Sequence, residues 1–177
     1  MKKSILLLCL VSFFFGYSQE NKTTDLKKNE LKGNALMLVA GAFEITYERL
    51  LNDESGAGVS LLLSYDTDVS TKFSLTPYYR FYFGKKAAAG FFAEGFGMLN
   101  TYQGENYYYN NGITTTIKEE KITDFALGFG LGGKWVNKKG FVFELNAGIG
   151  RNLFNDKSSD YDQKLVGRGG ITLGYRF

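Results

Sequence analysis

The sequence predicts an all-β protein, an eight-stranded antiparallel up-and-down transmembrane β-barrel. Several segments alternate apolar and polar side chains with the period of two that is typical of a half-buried strand. Glycine is frequent (22 residues), proline is represented by Pro77 alone, and Phe (16) and Tyr (12) are abundant. After the amino terminus, no continuous apolar stretch approaches the roughly 20 residues that a membrane helix needs. A chain that crosses a membrane without such helices has to close into a barrel, because strand edges cannot stay unpaired in lipid.

The amino terminus has the three parts of a secretory signal peptide. A basic start is followed by the apolar run of residues 5–15 and by small residues before a predicted cleavage after Ser18. The predicted domains are a signal peptide at 1–18, a polar periplasmic lead-in at 19–32 and an outer-membrane β-barrel at 33–177.

Charge and composition narrow the possible functions. Loss of Lys2 and Lys3 from the 21 basic residues would leave 19 against 18 acidic ones, which gives no reason to expect a nucleic-acid partner. The sequence has no histidine, and its one cysteine, Cys9, lies in the predicted signal peptide. Histidine is the usual general base of hydrolases and, with cysteine, a usual ligand of transition metals. We therefore expect no enzymatic activity, no cofactor and no metal.

Eight predicted strands follow the lead-in, and most of them reach the about 9–11 residues of a tilted membrane strand. They cover residues 34–40, 42–51, 57–65, 71–83, 88–101, 122–136, 141–153 and 165–177. Tight, charged turns alternate with longer polar connections, of which 103–121 and 154–163 are the longest. This alternation is typical of outer-membrane barrels and predicts that both termini face the periplasm.

Two of the predicted strands do not alternate cleanly. In the first, residues 36–39 are apolar without interruption. In the fifth, placing Glu94 inside the barrel also places Phe92, Phe96 and Met98 inside. A β-bulge would resolve the conflict, but the sequence does not locate one.

The fourth strand gives the clearest indication of which face meets lipid. Every second residue from Phe73 to Phe83 is apolar or aromatic, whereas the residues of the other parity include Lys72 and Arg80. The sixth and seventh strands repeat the pattern with apolar rows that begin at Phe125 and Phe141. We expect these rows to contact hydrocarbon and the polar rows to line the lumen.

The polar rows carry charges of both signs. Eight strands enclose a lumen that side chains nearly fill, and charges buried there have to pair. The predicted lumen charge network consists of Glu44, Glu48, Arg80, Glu94, Lys134, Glu144, Arg168 and Arg176. A soluble barrel of the lipocalin kind, with its apolar side chains inside, is the alternative.

The last predicted strand ends on an aromatic residue. Its apolar face carries Ile171, Leu173, Tyr175 and Phe177. This pattern resembles the assembly signal of bacterial outer-membrane barrels, which implies the barrel-assembly machinery as a partner during biogenesis.

The chain as a whole resembles small outer-membrane barrels of the OmpA/OmpX architecture. More narrowly, the run from Glu44 to Arg49 (EITYER) and the following LLN are similar to the first hairpin of a bacterial family of secreted eight-stranded barrels, known only as a domain of unknown function. The resemblance implies fold and location, with outer-membrane lipid and lipopolysaccharide as surroundings. It implies no activity and no catalytic residue.

The longest connection suggests a surface interaction. Asn111-Gly112 is a type I′ turn signal between two strand-forming stretches, which predicts a two-stranded ribbon across residues 103–121. Near Tyr107, Tyr108 and Tyr109 its edge would suit an extracellular protein partner that binds by β-augmentation; a hairpin without a partner is the alternative. Arg151 has outward parity near the outer rim, where it would either meet a lipopolysaccharide phosphate or reach the interface without a specific contact.

The leading hypothesis is a non-enzymatic outer-membrane barrel with a structural or surface-interaction role. The alternatives are a narrow small-solute channel, an enzyme that modifies lipids through a carboxylate pair such as Glu94 and Glu144, and a soluble periplasmic lipid-binding barrel.

Overall fold

The computed structural model describes the backbone of residues 27–110, 114–154 and 164–177, and the side chains of these ranges except those of residues 104–120. Its strands form a closed antiparallel barrel in which each strand pairs with its neighbours in the chain and the eighth pairs with the first. The elements are β1 (Asn29–Asn34), α1 (Ala35–Val39), β2 (Ala42–Leu50), β3 (Ser55–Ser64), β4 (Thr71–Tyr82), β5 (Gly90–Asn110), β6 (Thr114–Val136), β7 (Phe141–Asn152) and β8 (Leu165–Arg176). The predicted all-β, eight-stranded up-and-down barrel is confirmed. The predicted signal peptide lies outside the described residues.

The prediction for the first strand is wrong. β1 occupies Asn29–Asn34 and so begins within the predicted lead-in, and the apolar run that follows forms α1. Asn34 ends the strand and caps the helix, since its side chain accepts a hydrogen bond of 3.2 Å from Met37 N. The run has no alternation because it forms a helical turn. Within the described ranges, no helix is long and apolar enough to cross a membrane.

The two ends of the barrel differ in their connections. One end, here called the turn end, holds the short turns 51–54, 83–89 and 137–140 together with the start of β1 and the end of β8. The opposite end, here called the loop end, holds α1, the loop 65–70 and the connections that follow β5 and β7. The predicted alternation in length holds in part, because the β4–β5 connection at the turn end (83–89) is longer than the predicted turn and slightly longer than the loop 65–70.

β5 and β6 continue beyond their other neighbours as a two-stranded ribbon. β5 pairs with β4 only as far as Tyr102, and β6 begins to pair with β7 at Ala126. Towards the hairpin the two strands pair with each other up to Asn110 and Thr114. The backbone therefore forms the predicted ribbon, whereas the predicted turn at 111–112 and the side chains of the three tyrosines lie outside the described residues.

Strand alternation points the polar rows inward and the apolar rows outward. Arg80 and Lys134 are fully buried, whereas Phe129 and Phe141 are 66% and 61% exposed on the outer surface. The outward row also includes Leu31, Phe43, Leu63, Leu75, Tyr79, Phe81, Phe91, Leu99, Leu127, Leu131, Trp135, Phe143, Leu145, Ile149, Ile171, Leu173 and Tyr175. The barrel is thus the inverse of a lipocalin, which keeps its apolar side chains inside.

β5 faces the lumen with aromatic rings and needs no bulge to do so. Its inward row comprises Phe92, Glu94, Phe96, Met98, Asn100 and Tyr102. Glycines on β6 leave the space that the rings occupy. A Cβ added to Gly132 would lie 2.4 Å from Phe92 Cζ, and one added to Gly128 would lie 2.3 Å from Phe96 Cζ. The one register irregularity between β4 and β5 lies at the start of β4.

Candidate functional site: the charged lumen

The ion pairs of the lumen centre on Glu48, which β2 points inward. Its Oε2 lies 2.5 Å from Lys32 Nζ and 3.1 Å from Arg80 Nη1, and its Oε1 lies 3.0 Å from Lys134 Nζ. Tyr78 OH donates a further hydrogen bond of 2.9 Å to Oε2. Cations from β1, β4 and β6 therefore converge on one carboxylate.

Arg80 connects this carboxylate to two others. Its Nη1 lies 2.9 Å from Glu144 Oε2 on β7, and its Nε lies 2.6 Å from Glu94 Oε2 on β5. Lys32 also reaches Glu144, at 3.0 Å. A guanidinium suits this position because its planar donors can serve several oxygens at once.

Arg168 on β8 brings the two remaining strands, β8 and β3, into the network. Its Nη1 lies 2.8 Å from Glu94 Oε1, and its Nη2 donates a hydrogen bond of 2.9 Å to Ser60 Oγ on β3. Ser60 in turn shares a hydrogen bond of 2.7 Å with Thr46 of β2. With this contact, every strand of the barrel contributes a side chain to the network.

At the turn end, the network continues through Arg176 to backbone carbonyl groups of the β4–β5 turn, which closes the lumen. Glu30 Oε1 lies 2.7 Å from Arg176 Nη2, and Glu30 Oε2 lies 2.7 Å from Lys134 Nζ. Arg176 also donates hydrogen bonds to the carbonyl oxygens of Ala87 (3.1 Å) and Ala88 (2.7 Å) in the β4–β5 turn. Ala88 is fully buried, so this turn folds into the barrel mouth and closes it.

Aromatic rings cover the cations where carboxylates do not. The guanidinium carbon of Arg80 lies 4.2 Å from the ring centre of Phe92 and 4.4 Å from that of Tyr78. The guanidinium carbon of Arg168 lies 4.6 Å from the centre of the same Tyr78 ring. Burying an ion costs about 5 kcal/mol in lost hydration. Cation–π contacts of this kind offset part of that cost.

The arrangement holds strands together and fills the lumen. The carboxylates of Glu30, Glu48, Glu94 and Glu144 each contact at least two cations, and the side chains in these pairs are at most 8% exposed. A carboxylate held in this way is a poor general base, because proton uptake would break its ion pairs. Among the described residues, no group of three or more metal-ligating side chains is close enough to hold a metal ion.

The structure places the other predicted residues as follows. Glu44 is half-buried and accepts a hydrogen bond of 2.6 Å from Asn34 Nδ2, but it is not among the ion pairs of the described residues. Arg151 is exposed on β7, where it pairs with Leu127 and Leu165 of the flanking strands. The predicted assembly-signal residues all lie on the exposed outer face: Ile171, Leu173, Tyr175 and Phe177.

Sequence reasoning missed two charged members of the network, Glu30 and Lys32. Both were assigned to the lead-in, although the signal was present, because Leu31 and Gly33 alternate with them in a period of two. Parity places Tyr78 and Tyr82 on the polar row of the fourth strand, but it does not predict that both donate hydrogen bonds to Glu48. The Tyr82 ring also lies 5.7 Å from the Phe92 ring in an edge-to-face arrangement. Phenol side chains occur both in polar lumens and on apolar surfaces, so the residue type does not show which face a tyrosine occupies.

Comparison with known proteins supports the architecture. No protein-family model matches the chain, and no curated protein matches it. Among solved structures, the chain is similar to the N-terminal β-barrel domain of OprF from Pseudomonas aeruginosa, with a TM-score of 0.59 and 13% sequence identity. The match covers 86% of this chain and 98% of that domain. At this identity the similarity shows the fold alone, a small closed eight-stranded barrel. The family resemblance of the first hairpin stays a prediction.

Proposed function

We propose that the protein is a non-enzymatic integral outer-membrane β-barrel, with a structural role and a surface-interaction role. The observation that carries this proposal is the polarity of the barrel: its ion pairs lie inside and its apolar rows lie outside. In water, an apolar surface of this extent would promote aggregation. In lipid it is the favoured surface, and barrel closure leaves no strand edge unpaired within the bilayer.

The distribution of aromatic residues supports a transmembrane position. Trp135, Phe141 and Tyr175 are exposed near the turn end, and Tyr65 and Phe154 are exposed near the loop end. Aromatic side chains collect at the two interfaces of membrane barrels, where one part of the ring meets lipid and the other meets water. We place the turn end on the periplasmic side, with a signal peptide cleaved after Ser18.

A structural role fits the lumen better than transport or catalysis does. Arg80 and Lys134 span the lumen between carboxylates of different strands, and the β4–β5 turn occupies its mouth. Side chains therefore fill the path that a solute would need, which argues against a small-solute channel. Glu94 and Glu144, the carboxylate pair considered for lipid modification, share Arg80 as an ion-pair partner and are buried.

The surface-interaction role belongs to the loop end. Between residues 104 and 110, β5 pairs with β6 along one edge. Its ladder with β4, along the other edge, already ends at Tyr102. Such an edge can accept a strand of an extracellular protein by β-augmentation, with Tyr107, Tyr108 and Tyr109 in the pairing stretch. Arg151, exposed on β7 near the same end, suits a lipopolysaccharide phosphate.

Cysteine labelling of intact cells, combined with fractionation, tests this proposal. The chain has only Cys9, within the predicted signal peptide, so single-cysteine variants carry one reactive site after cleavage. We expect the Asn111→Cys variant, at the ribbon, to react with a membrane-impermeant maleimide, and the Lys138→Cys variant, at the turn end, to react only after cell lysis. The protein should cosediment with outer membranes and show heat-modifiable gel mobility. Recovery in the soluble periplasmic fraction would contradict the proposal, as would labelling of Lys138→Cys on intact cells.

A further inference from the structure

An apolar groove crosses the outer face of the barrel at the turn end. It runs over β6, β7, β8 and β1 and has a volume of about 890 Å³. Its lining includes Leu31, Trp135, Phe141, Phe143, Tyr175 and Phe177. This volume falls within the roughly 300–1,000 Å³ that is usual for small-molecule sites.

Ring pairs form the sides of this groove. The ring centres of Trp135 and Phe143 are 5.6 Å apart, and those of Phe141 and Tyr175 are 5.7 Å apart in an edge-to-face arrangement. Each pair joins residues of neighbouring strands, so the barrel backbone fixes their spacing. Paired rings on a rigid sheet give the groove a fixed shape that suits a flexible apolar chain.

Lysines border the groove on the side of the turns. Asn137, which lines the groove, is followed by the exposed Lys138 and Lys139 in the β6–β7 turn. The side chain of Asn137 accepts hydrogen bonds from Lys139 N (2.9 Å) and Phe141 N (3.0 Å), which fixes the conformation of this turn. From the other side, Lys27 Nζ lies 5.3 Å from the ring centre of Tyr175.

No carboxylate side chain among the described lining residues balances these lysines. Two acidic side chains of these strands near the turn end, Glu30 on β1 and Glu144 on β7, point into the lumen and form ion pairs there. The groove therefore joins an apolar surface to a border of lysine side chains. This combination matches a molecule with hydrocarbon chains and an anionic head.

We propose that the groove binds an anionic phospholipid of the adjacent leaflet, with its acyl chains against Trp135 and Tyr175 and its phosphate at Lys138, Lys139 and Lys27. The inference rests on the proposed membrane location and deepens it by naming the lipid class. Juxtamembrane lysines attract anionic lipid by roughly 1 kcal/mol each. Lys138 and Lys139 together therefore predict an approximately tenfold or greater preference for an anionic lipid over a zwitterionic lipid of the same chain length.

Native mass spectrometry of the purified protein tests the proposal. The protein is released from micelles that contain either phosphatidylglycerol or phosphatidylcholine of equal chain length, and the bound lipids are counted. A double variant, Lys138→Gln with Lys139→Gln, removes the cationic border. Its matched control, Lys85→Gln with Lys86→Gln, removes two exposed lysines from a turn of the same end that does not line the groove.

We expect the wild type to retain phosphatidylglycerol, the Lys138/Lys139 variant to bind it roughly tenfold more weakly, and the Lys85/Lys86 variant to match the wild type. Equal retention of both lipids by the wild type, or an equal loss in both variants, would overturn the inference. A lipid-free dimer would also overturn it, because a second copy would then cover the groove. Insertion into preformed vesicles is measured separately by heat-modifiable mobility, and a protein that does not insert would refute the proposed function itself.

Discussion

Glu30 and Arg176 face each other at the junction where the first strand meets the last. They are register partners of β1 and β8, and their side chains are 2.7 Å apart inside the lumen. Arg176 also donates hydrogen bonds to carbonyl oxygens of the β4–β5 turn. One side chain therefore stabilises both the β1–β8 junction and the turn that closes the mouth of the barrel.

Replacing Arg176 with Met should lower the free energy of unfolding by about 3 kcal/mol, because Glu30 loses a buried partner and the carbonyl groups of Ala87 and Ala88 lose their donor. Urea unfolding in micelles, followed by the fluorescence of Trp135, the only tryptophan, measures the change. The control is Arg49→Met. Arg49 is exposed and donates one hydrogen bond to Asn29, so we expect a loss below about 1 kcal/mol. Equal effects in both variants would contradict a stabilising role for the junction.

Glu48→Gln should be among the most destabilising single changes in the lumen. It leaves Lys32, Arg80 and Lys134 with one shared negative charge fewer in a site that water does not reach, at a cost of about 3–5 kcal/mol. Glu44→Gln removes a carboxylate that accepts one hydrogen bond from Asn34, and we expect it to cost about 1 kcal/mol or less. The same urea titration compares the two. A Glu48→Gln barrel as stable as Glu44→Gln would show that the converging cations do not depend on that charge.

Adding one methyl group at Gly132 tests how closely Phe92 packs against β6. In Gly132→Ala the new Cβ would lie 2.4 Å from Phe92 Cζ and 2.5 Å from the carbonyl oxygen of Leu145, so the strand or the ring has to shift. We expect a loss of about 1–3 kcal/mol in unfolding free energy. Gly95→Ala, on the outer face with nothing within 4 Å, should be neutral. Equal stability of the two variants would refute close packing at Gly132.

Shortening the ribbon should leave the barrel intact. Beyond Tyr102 and Ala126 the two ribbon strands pair with each other and not with β4 or β7, so removal of residues 105–119 and closure by Asn-Gly deletes no barrel ladder. We expect heat-modifiable mobility and an unfolding free energy within about 0.5 kcal/mol of the wild type, since loop length has a weak effect on stability. If the shortened chain failed to fold, the prediction would be wrong, and the ribbon would be needed for folding of the barrel.

Local periodicity was enough to predict most strands and most charged residues of the lumen. β4, β6, β7 and β8 alternate so regularly that parity alone placed Arg80 and Glu144 inside. Strand β1 was missed because its six residues are mostly polar and lie beside a polar segment, which hid Glu30 and Lys32. Parity also did not explain why phenylalanines of β5 face inward. That depends on glycines of β6 and β7, which are distant in sequence and become neighbours only after the strands pair.

The charged side chains come from strands spread over the whole sequence, and this has a consequence for how the chain matures. A chain that lacks its last strand would leave Glu94 without Arg168 and Glu30 without Arg176. Each carboxylate would keep a cation on another strand, Arg80 for Glu94 and Lys134 for Glu30, but would lose one of its ion pairs. In a low-dielectric interior this loss of compensation is unfavourable, so partial barrels are less stable than the closed one. Folding should therefore be all-or-none, and incomplete chains should be poorly stabilised and open to proteolysis before they accumulate.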